Sequence, residues 1–220
     1  LIGCFKQPSL VLADVATLMT LPPEELTSGM AEVIKHGLLA DTDLLEKVEQ
    51  GDWPLKTDAL HSSHSEIQTF VAKAIQVKIT YVQKDPFDEG IRTHLNLGHT
   101  FAHAIEKVSR NRVRHGEAVA MGLAASADLS ARLGYCDHHL KDRIDSILHK
   151  VGLPTRIAAT LSPQSILNVM NLDKKKLAES IRLVLPVKVG QVFVADDVAD
   201  KDILDTLHAM SEHNVQQKTT

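Results

Sequence analysis

Leu95-Asn96-Leu97-Gly98-His99-Thr100-Phe101-Ala102-His103-Ala104-Ile105-Glu106, followed by His115-Gly116-Glu117-Ala118-Val119, decides how this chain is read. His99 and His103 are four apart, and residues at that spacing share one face of a helix. Two imidazoles can then be presented to one small volume, and His115, at the start of the next helix, could complete a metal site. A blander reading stands beside this one. The chain carries twelve histidines, and a His-x-x-x-His pair arises by chance on solvent-facing helices. Asn96, Gly98 and Thr100 break the helical core pattern. They read as a helix start, with polar groups for the free N–H donors and a glycine that allows close backbone approach. Helix N-termini favour anions, so a metal and an anionic ligand are expected close together here.

Working outward, the pattern is mostly helical. Pro22-Pro23-Glu24-Glu25 opens a helix with acids in its first turn, and Met30, Val33, Ile34 and Leu38 continue it. Residues 43–49 form a short helix stopped near Gly51. A long amphipathic helix is expected over 58–83, with Ile67, Phe70, Val71, Ala74, Ile75 and Val82 on its apolar face. Asp85-Pro86 breaks it, and a charged loop leads to Arg92. After the two histidine-bearing helices, the second ended by Gly134, come helices over about 137–151 and 163–171. Ile181–Leu185 and Val192–Val194, separated by Gly190, suit a hairpin, and a last helix covers about 200–211. At the front, Ser9-Leu10-Val11-Leu12-Ala13-Asp14 reads as a short buried strand. The expected fold class is therefore mainly α: a helical metal-binding domain with an N-terminal strand remnant and a small late β element.

Composition narrows the function. Apolar residues make up 44 % of the 220 and aromatics 4 %, so the core is aliphatic. A formal charge of −4 gives no general attraction for nucleic acid. No apolar run approaches the roughly 18 residues that span a bilayer, and no secretory leader pattern is present. Two cysteines, Cys4 and Cys136, are too few for a disulfide scaffold and fit a reducing cytosol. The chain opens on Leu1-Ile2-Gly3 without Met and reads as the middle of a longer protein.

Several charged residues lie in apolar surroundings. Glu32, within Gly29-Met30-Ala31-Glu32-Val33-Ile34-Lys35-His36-Gly37, must be partnered or costly; the plain alternative is a surface Glu32–Lys35 pair. Lys78 sits between Val77 and Ile79, where most lysines snorkel to water. Arg92 and Asn96 lead into the first histidine helix, and Asp173-Lys174-Lys175-Lys176 reads as a cationic turn. Together these supply a carboxylate, histidines and cations, a set suited to a metal plus a ligand bearing phosphate and carboxylate.

On these motifs, together with Gln7-Pro8 and Arg182-Leu183-Val184-Leu185, the sequence resembles the 3-dehydroquinate synthase family of the sugar-phosphate cyclases, over nearly its whole length. The resemblance implies a divalent metal, zinc or cobalt, held by Glu32, His99 and His115. It turns His103 to the substrate phosphate instead of the metal. It places Lys35 near the reacting hydroxyl, Lys78 and Arg92 on the substrate carboxylate and its neighbouring hydroxyls, and Asn96 and Lys174 on phosphate, with Lys175 an alternative to Lys174. The acid before the Gly-x-Arg segment is Asp88 by register, with Glu89 the alternative. The implied reaction converts a seven-carbon keto-acid phosphate to 3-dehydroquinate and phosphate, in the shikimate route to aromatic amino acids. It uses NAD bound by an N-terminal half. No Gly-rich nucleotide fingerprint occurs here, so no cofactor-binding residue is assigned. Residues 1–22 then read as the end of the nucleotide domain and its linker, and 23–220 as the helical metal- and substrate-binding domain. The expected partners are a small-molecule substrate, the NAD-binding half and further copies of the chain, with no nucleic acid or membrane. The setting is cytoplasmic, and the isolated fragment is expected to be inactive. Alternatives are another sugar-phosphate cyclase, a metal-dependent polyol dehydrogenase (whose acidic ligand is generally Asp), and a non-catalytic helical metal-binding module.

Overall fold

The computed structural model describes residues 8–55, 63–177 and 181–211, with the side chains of 173–177 excepted. Helix α1 spans Pro23–Ala40, with Pro23 in its first turn, where a missing N–H costs nothing. Asp41 ends α1 and caps α2 (Thr42–Gln50), its carboxylate accepting the Leu44 N–H at 2.9 Å. Gly51, at φ +84°, stops α2. Helix α3 (His64–Lys84) begins with a reciprocal capping box. Ser63 Oγ accepts the Glu66 N–H, and Glu66 accepts the Ser63 N–H. That box sets the start at His64; of the expected stretch, 58–62 lie outside the described residues. The buried face of α3 is also rotated from the expected one. Ile67, Phe70, Ala74, Val77 and Tyr81 are buried, Val71 and Val82 are half-buried, and Ile75 is exposed.

A 3-10 turn (Ile91–Asn96) leads to α4 (His99–Ser109), and α5 (His115–Arg132) follows. Then come α6 (His138–Val151) and α7 (Pro163–Leu177). Helix α7 runs through the lysine cluster expected to be a turn. Lysine has good helix propensity, and no glycine or proline intervenes there. The hairpin is as expected: β1 (Leu183–Lys188) pairs antiparallel with β2 (Gln191–Ala195), with Leu183 opposite Ala195. Its turn is tied to α1 by the Gly190 N–H donating to the Leu38 carbonyl at 2.8 Å. Helix α8 (Asp200–Met210) ends the described chain.

Residues 9–14 correct the sequence reading. Leu10, Val11 and Leu12 are 78 %, 77 % and 80 % exposed, and they form no strand. A strand is bonded pairwise, and the two-stranded sheet of the described residues pairs only with itself. Asp14 instead caps a 3-10 turn over Val15–Thr20, its carboxylate accepting the Ala16 N–H.

Helix α5 is the axis of the core. Gly116 and nearly every residue from Ala118 to Ala131 are buried, as a helix apolar on all sides requires. It packs on α1, α4, α6, α8 and β1. Two of its glycines let neighbours approach at backbone distance. A Cβ on Gly116 would lie 1.9 Å from the Ser28 carbonyl oxygen of α1. A Cβ on Gly122 would lie 2.1 Å from the carbonyl oxygen of Gly98, the left-handed residue (φ +79°) that starts α4. Ser28 Oγ also accepts the Gly116 N–H at 3.0 Å, satisfying a free donor in the first turn of α5.

Candidate metal centre and ligand cavity

These two close approaches assemble the site. Glu32 lies one turn beyond Ser28 on α1, so the Ser28–Gly116 contact brings it to His115 at the start of α5. The Gly98–Gly122 contact brings in His99, the first residue of α4. His99 Nε2 lies 3.3 Å and His115 Nε2 3.6 Å from Glu32 Oε1. The three ligand atoms all fall within 4.8 Å of one another. Tetrahedral bonds of roughly 2.0–2.2 Å separate ligand atoms by about 3.3–3.6 Å, so two of the separations already match.

The other ring nitrogens are engaged. His99 Nδ1 donates to the Leu97 carbonyl at 3.2 Å, and His115 Nδ1 donates to Glu106 Oε1 at 3.1 Å. A carbonyl and a carboxylate only accept, so both protons sit on Nδ1 and both Nε2 lone pairs are free for a cation. This is the outer-shell arrangement typical of metal-ligating histidines.

Glu32 Oε1 is buried without a hydrogen-bond partner among the described residues. Burial works against its charge. In the absence of a cation, a proton on His99 Nε2 and the Lys35 ammonium, at 2.7 Å from Oε2, outweigh burial and hold the carboxyl well below the usual carboxylate range. The Glu32–Lys35 pair is therefore real but not a surface pair: Lys35 is 4 % exposed. Burial pushes the Lys35 ammonium down, against the pull of Glu32. An ionised, partly unsatisfied carboxylate facing two imidazole lone pairs fits a divalent cation.

The triad opens on a cavity of about 470 Å³ that also takes in Lys35, Lys78, Asp88, Arg92 and Asn96. A second cavity of about 300 Å³ shares Asp88, Asn96 and His99, and adds Thr100, His103 and Arg182. His103 is thus set apart from the triad. Its ring lies 5.6 Å from that of His99, and burial, then His99, lower its proton affinity. Of the two acids before Arg92, Asp88 lines both cavities and Glu89 neither. The side chains of Lys174 and Lys175 lie outside the described residues. Asn96 and Thr100 do not cap α4; Thr100 Oγ1 donates instead to the Arg182 carbonyl at 3.1 Å.

Sequence reasoning missed four contributors. Glu106 orients His115. Asp85 accepts the backbone N–H groups of Glu89, Gly90 and Arg92, which shapes the loop that carries Asp88 and Arg92 to the cavity. Those donors, Arg92 foremost, hold the Asp85 carboxyl below its ordinary range. Arg182 and His36 line the cavities. Only Glu106 had a visible signal, since it falls two turns after His99 on the same helical face.

The profile of the family "3-dehydroquinate synthase C-terminal" matches residues 29–176. A 3-dehydroquinate synthase of Synechococcus sp. is 38 % identical over 213 residues, covering 96 % of this chain and 57 % of the relative. That of Cereibacter sphaeroides is 40 % identical over 213 residues, covering 94 % and 56 %. The chain thus spans a little over half the length of these relatives. Among solved structures, 2-epi-5-epi-valiolone synthase from Streptomyces hygroscopicus, with NAD+ and Zn2+ bound, superposes with a TM-score of 0.83 at 23 % identity, covering 95 % of this chain and 57 % of that one. A 2-deoxy-scyllo-inosose synthase, complexed with carbaglucose-6-phosphate, NAD+ and Co2+, gives 0.81 at 24 %, covering 96 % and 58 %. At these identities the structural likeness is one of fold.

Proposed function

The chain belongs to the 3-dehydroquinate synthase C-terminal family, and on that premise we propose that it is the metal- and substrate-binding half of an NAD- and metal-dependent 3-dehydroquinate synthase. The carrying observation is the convergence of Glu32, His99 and His115 on the cavity that also holds Lys35, Lys78 and Arg92. The reaction converts a seven-carbon keto-acid phosphate to 3-dehydroquinate and phosphate in aromatic amino acid biosynthesis. When bound, zinc or cobalt on the triad supplies Lewis acidity toward a substrate hydroxyl, and NAD supplies the hydride acceptor.

The chain's own residues hold the substrate by its two anionic ends. Lys78 and Arg92 take the carboxylate. Asn96 and His103 take the phosphate, in the direction of the second cavity, and the family resemblance adds Lys174, or else Lys175, to that end. Lys35, buried beside Glu32, stands near the hydroxyl that must lose a proton, and Asp88 lines both cavities. Anchoring both ends holds one substrate through successive steps, so positioning carries much of the catalysis.

NAD belongs to an N-terminal half corresponding to the rest of the relatives' length. Residues 1–22 lead from it. A cytoplasmic homo-oligomer completes the proposal. No helix among the described residues is long and apolar enough to cross a membrane, and the −4 charge offers nucleic acid nothing. Another sugar-phosphate cyclase, an enzyme class that shares this fold, is the second reading. The carboxylate grip of Lys78 and Arg92 and the higher identity to 3-dehydroquinate synthases weigh against it. Glu32 in place of Asp weighs against a polyol dehydrogenase.

The test is reconstitution. The chain alone with NAD and the keto-acid phosphate gives no turnover; added to a separately expressed N-terminal half and one divalent metal, it releases phosphate and forms the carbocycle. Turnover by the chain alone, or none after reconstitution, overturns the proposal.

A further inference from the structure

His36 lies one helical turn past Glu32 on α1, and the residue is 7 % exposed. Its ring lies against the Ala74 backbone of α3, whose carbonyl favours a proton on the facing nitrogen, and it lines the larger cavity. A backbone carbonyl only accepts, so the proton of the neutral ring sits on Nδ1 and Nε2 is left as an acceptor. Burial and the neighbouring charges of Lys35 and Lys78 keep the ring neutral, with Glu32 only partly opposing them. Nε2 is buried and has no hydrogen-bond partner among the described residues. A buried acceptor without a donor is costly, and folded proteins keep few of them, commonly where function needs one.

Three cationic donors border the same cavity, and Arg92 Nη1 is engaged by the Pro86 carbonyl at 3.1 Å. Lys35 Nζ is committed to Glu32 at 2.7 Å. Lys78 is exposed and forms no ion pair among the described residues. It follows Ala74 by one turn of α3, so it rises from the face whose carbonyl holds the His36 ring. We propose that His36 is a positioning residue for Lys78: when an anionic ligand displaces water from the cavity, the Lys78 ammonium donates one hydrogen bond to His36 Nε2 and keeps its other two for ligand oxygens. An ammonium has three donors and no preferred fork, so a fixed acceptor beneath it sets where its charge sits. This inference rests on the proposed reading of the cavity as a carboxylate-binding site.

The experiment is a double-mutant cycle on the complete protein with the keto-acid phosphate. His36→Phe raises KM about tenfold, the scale of a hydrogen bond to a charged group, and changes kcat less. Lys78→Met also raises KM. The double variant is no worse than Lys78→Met alone, because His36 acts through Lys78. His36→Gln, which keeps an acceptor, recovers part of the loss. Without ligand, His36→Phe melts at or above the wild-type temperature, because it removes an unsatisfied polar atom. Additive effects, which an internal water serving Nε2 would produce, overturn the inference. So does a lower melting temperature for His36→Phe with KM unchanged, which marks a ring that only fills space. If the wild type shows no turnover, the functional reading fails, and a lowered melting temperature still overturns the role of His36 by itself.

Discussion

Gly122→Ala tests whether backbone contact on α5 builds the metal centre. The new Cβ would stand 2.1 Å from the Gly98 carbonyl oxygen, 2.9 Å from its carbon and 3.2 Å from its Cα. Ordinary contact begins near 3.4 Å, so the start of α4 must retreat by about 1 Å. No rotamer change can relieve a backbone contact, and Gly98 is held at φ +79°. Overpacking of this kind costs about 1–3 kcal/mol. Alanine returns about 1 kcal/mol of helix propensity, which leaves a net loss of about 1 kcal/mol. For a chain of this size that lowers Tm by about 2–4 °C. His99 is the next residue, so its Nε2 recedes from Glu32. Coordination distances tolerate only about 0.2 Å, and divalent-metal affinity falls by at least the 10–100-fold typical of a disturbed outer shell. Urea denaturation and a competitive metal titration measure both effects. Gly29→Ala is the control: it lies in α1 with nothing within 4 Å of its Cβ, and it gains up to about 1 kcal/mol. Wild-type stability and metal affinity in Gly122→Ala would refute the idea that this contact sets the geometry.

Elemental analysis should find one divalent metal in the protein and in His103→Ala, but little in His99→Ala or in Glu32→Ala; metal loss on changing His103 would make it a ligand. Glu106→Gln leaves His115 without its carboxylate partner and should weaken metal binding about 10–100-fold with little change in fold by circular dichroism; unchanged affinity denies Glu106 an orienting role. His36 has its proton affinity lowered from the ordinary 6.5 to about 4, by burial first and then by Lys35. The unfolded chain therefore takes up this proton below pH 6.5, whereas the folded one waits until about 4. Metal-free stability is then full above pH 6.5 and falls between the two values, by up to about 3 kcal/mol. His36→Phe should flatten that part of the urea-denaturation profile, and parallel profiles for the two proteins would contradict it.

Helices announced themselves wherever start and stop chemistry was local. Pro23 with Glu24 and Glu25, Gly51 after α2, and Gly134 and Gly152 after α5 and α6 each act through their own backbone. The triad Glu32, His99 and His115 was legible only through the family resemblance, because spacing alone pairs His99 with His103. Helical periodicity states which residues share a face, not which helix that face meets. The meeting is decided by Gly116 against Ser28 and Gly122 against Gly98, contacts between residues far apart in the chain. The same limit explains the exposed Leu10–Leu12: an apolar run specifies a strand only where a partner edge exists. It explains Glu106, Asp85 and His36 as well, whose roles depend on the atoms their polar groups reach. The sequence by itself determined the helices, the hairpin and the chemical types gathered near His99. The tertiary structure alone decided that two imidazole lone pairs face one half-buried carboxylate, since that depends on close packing across α5 and no local rule encodes it.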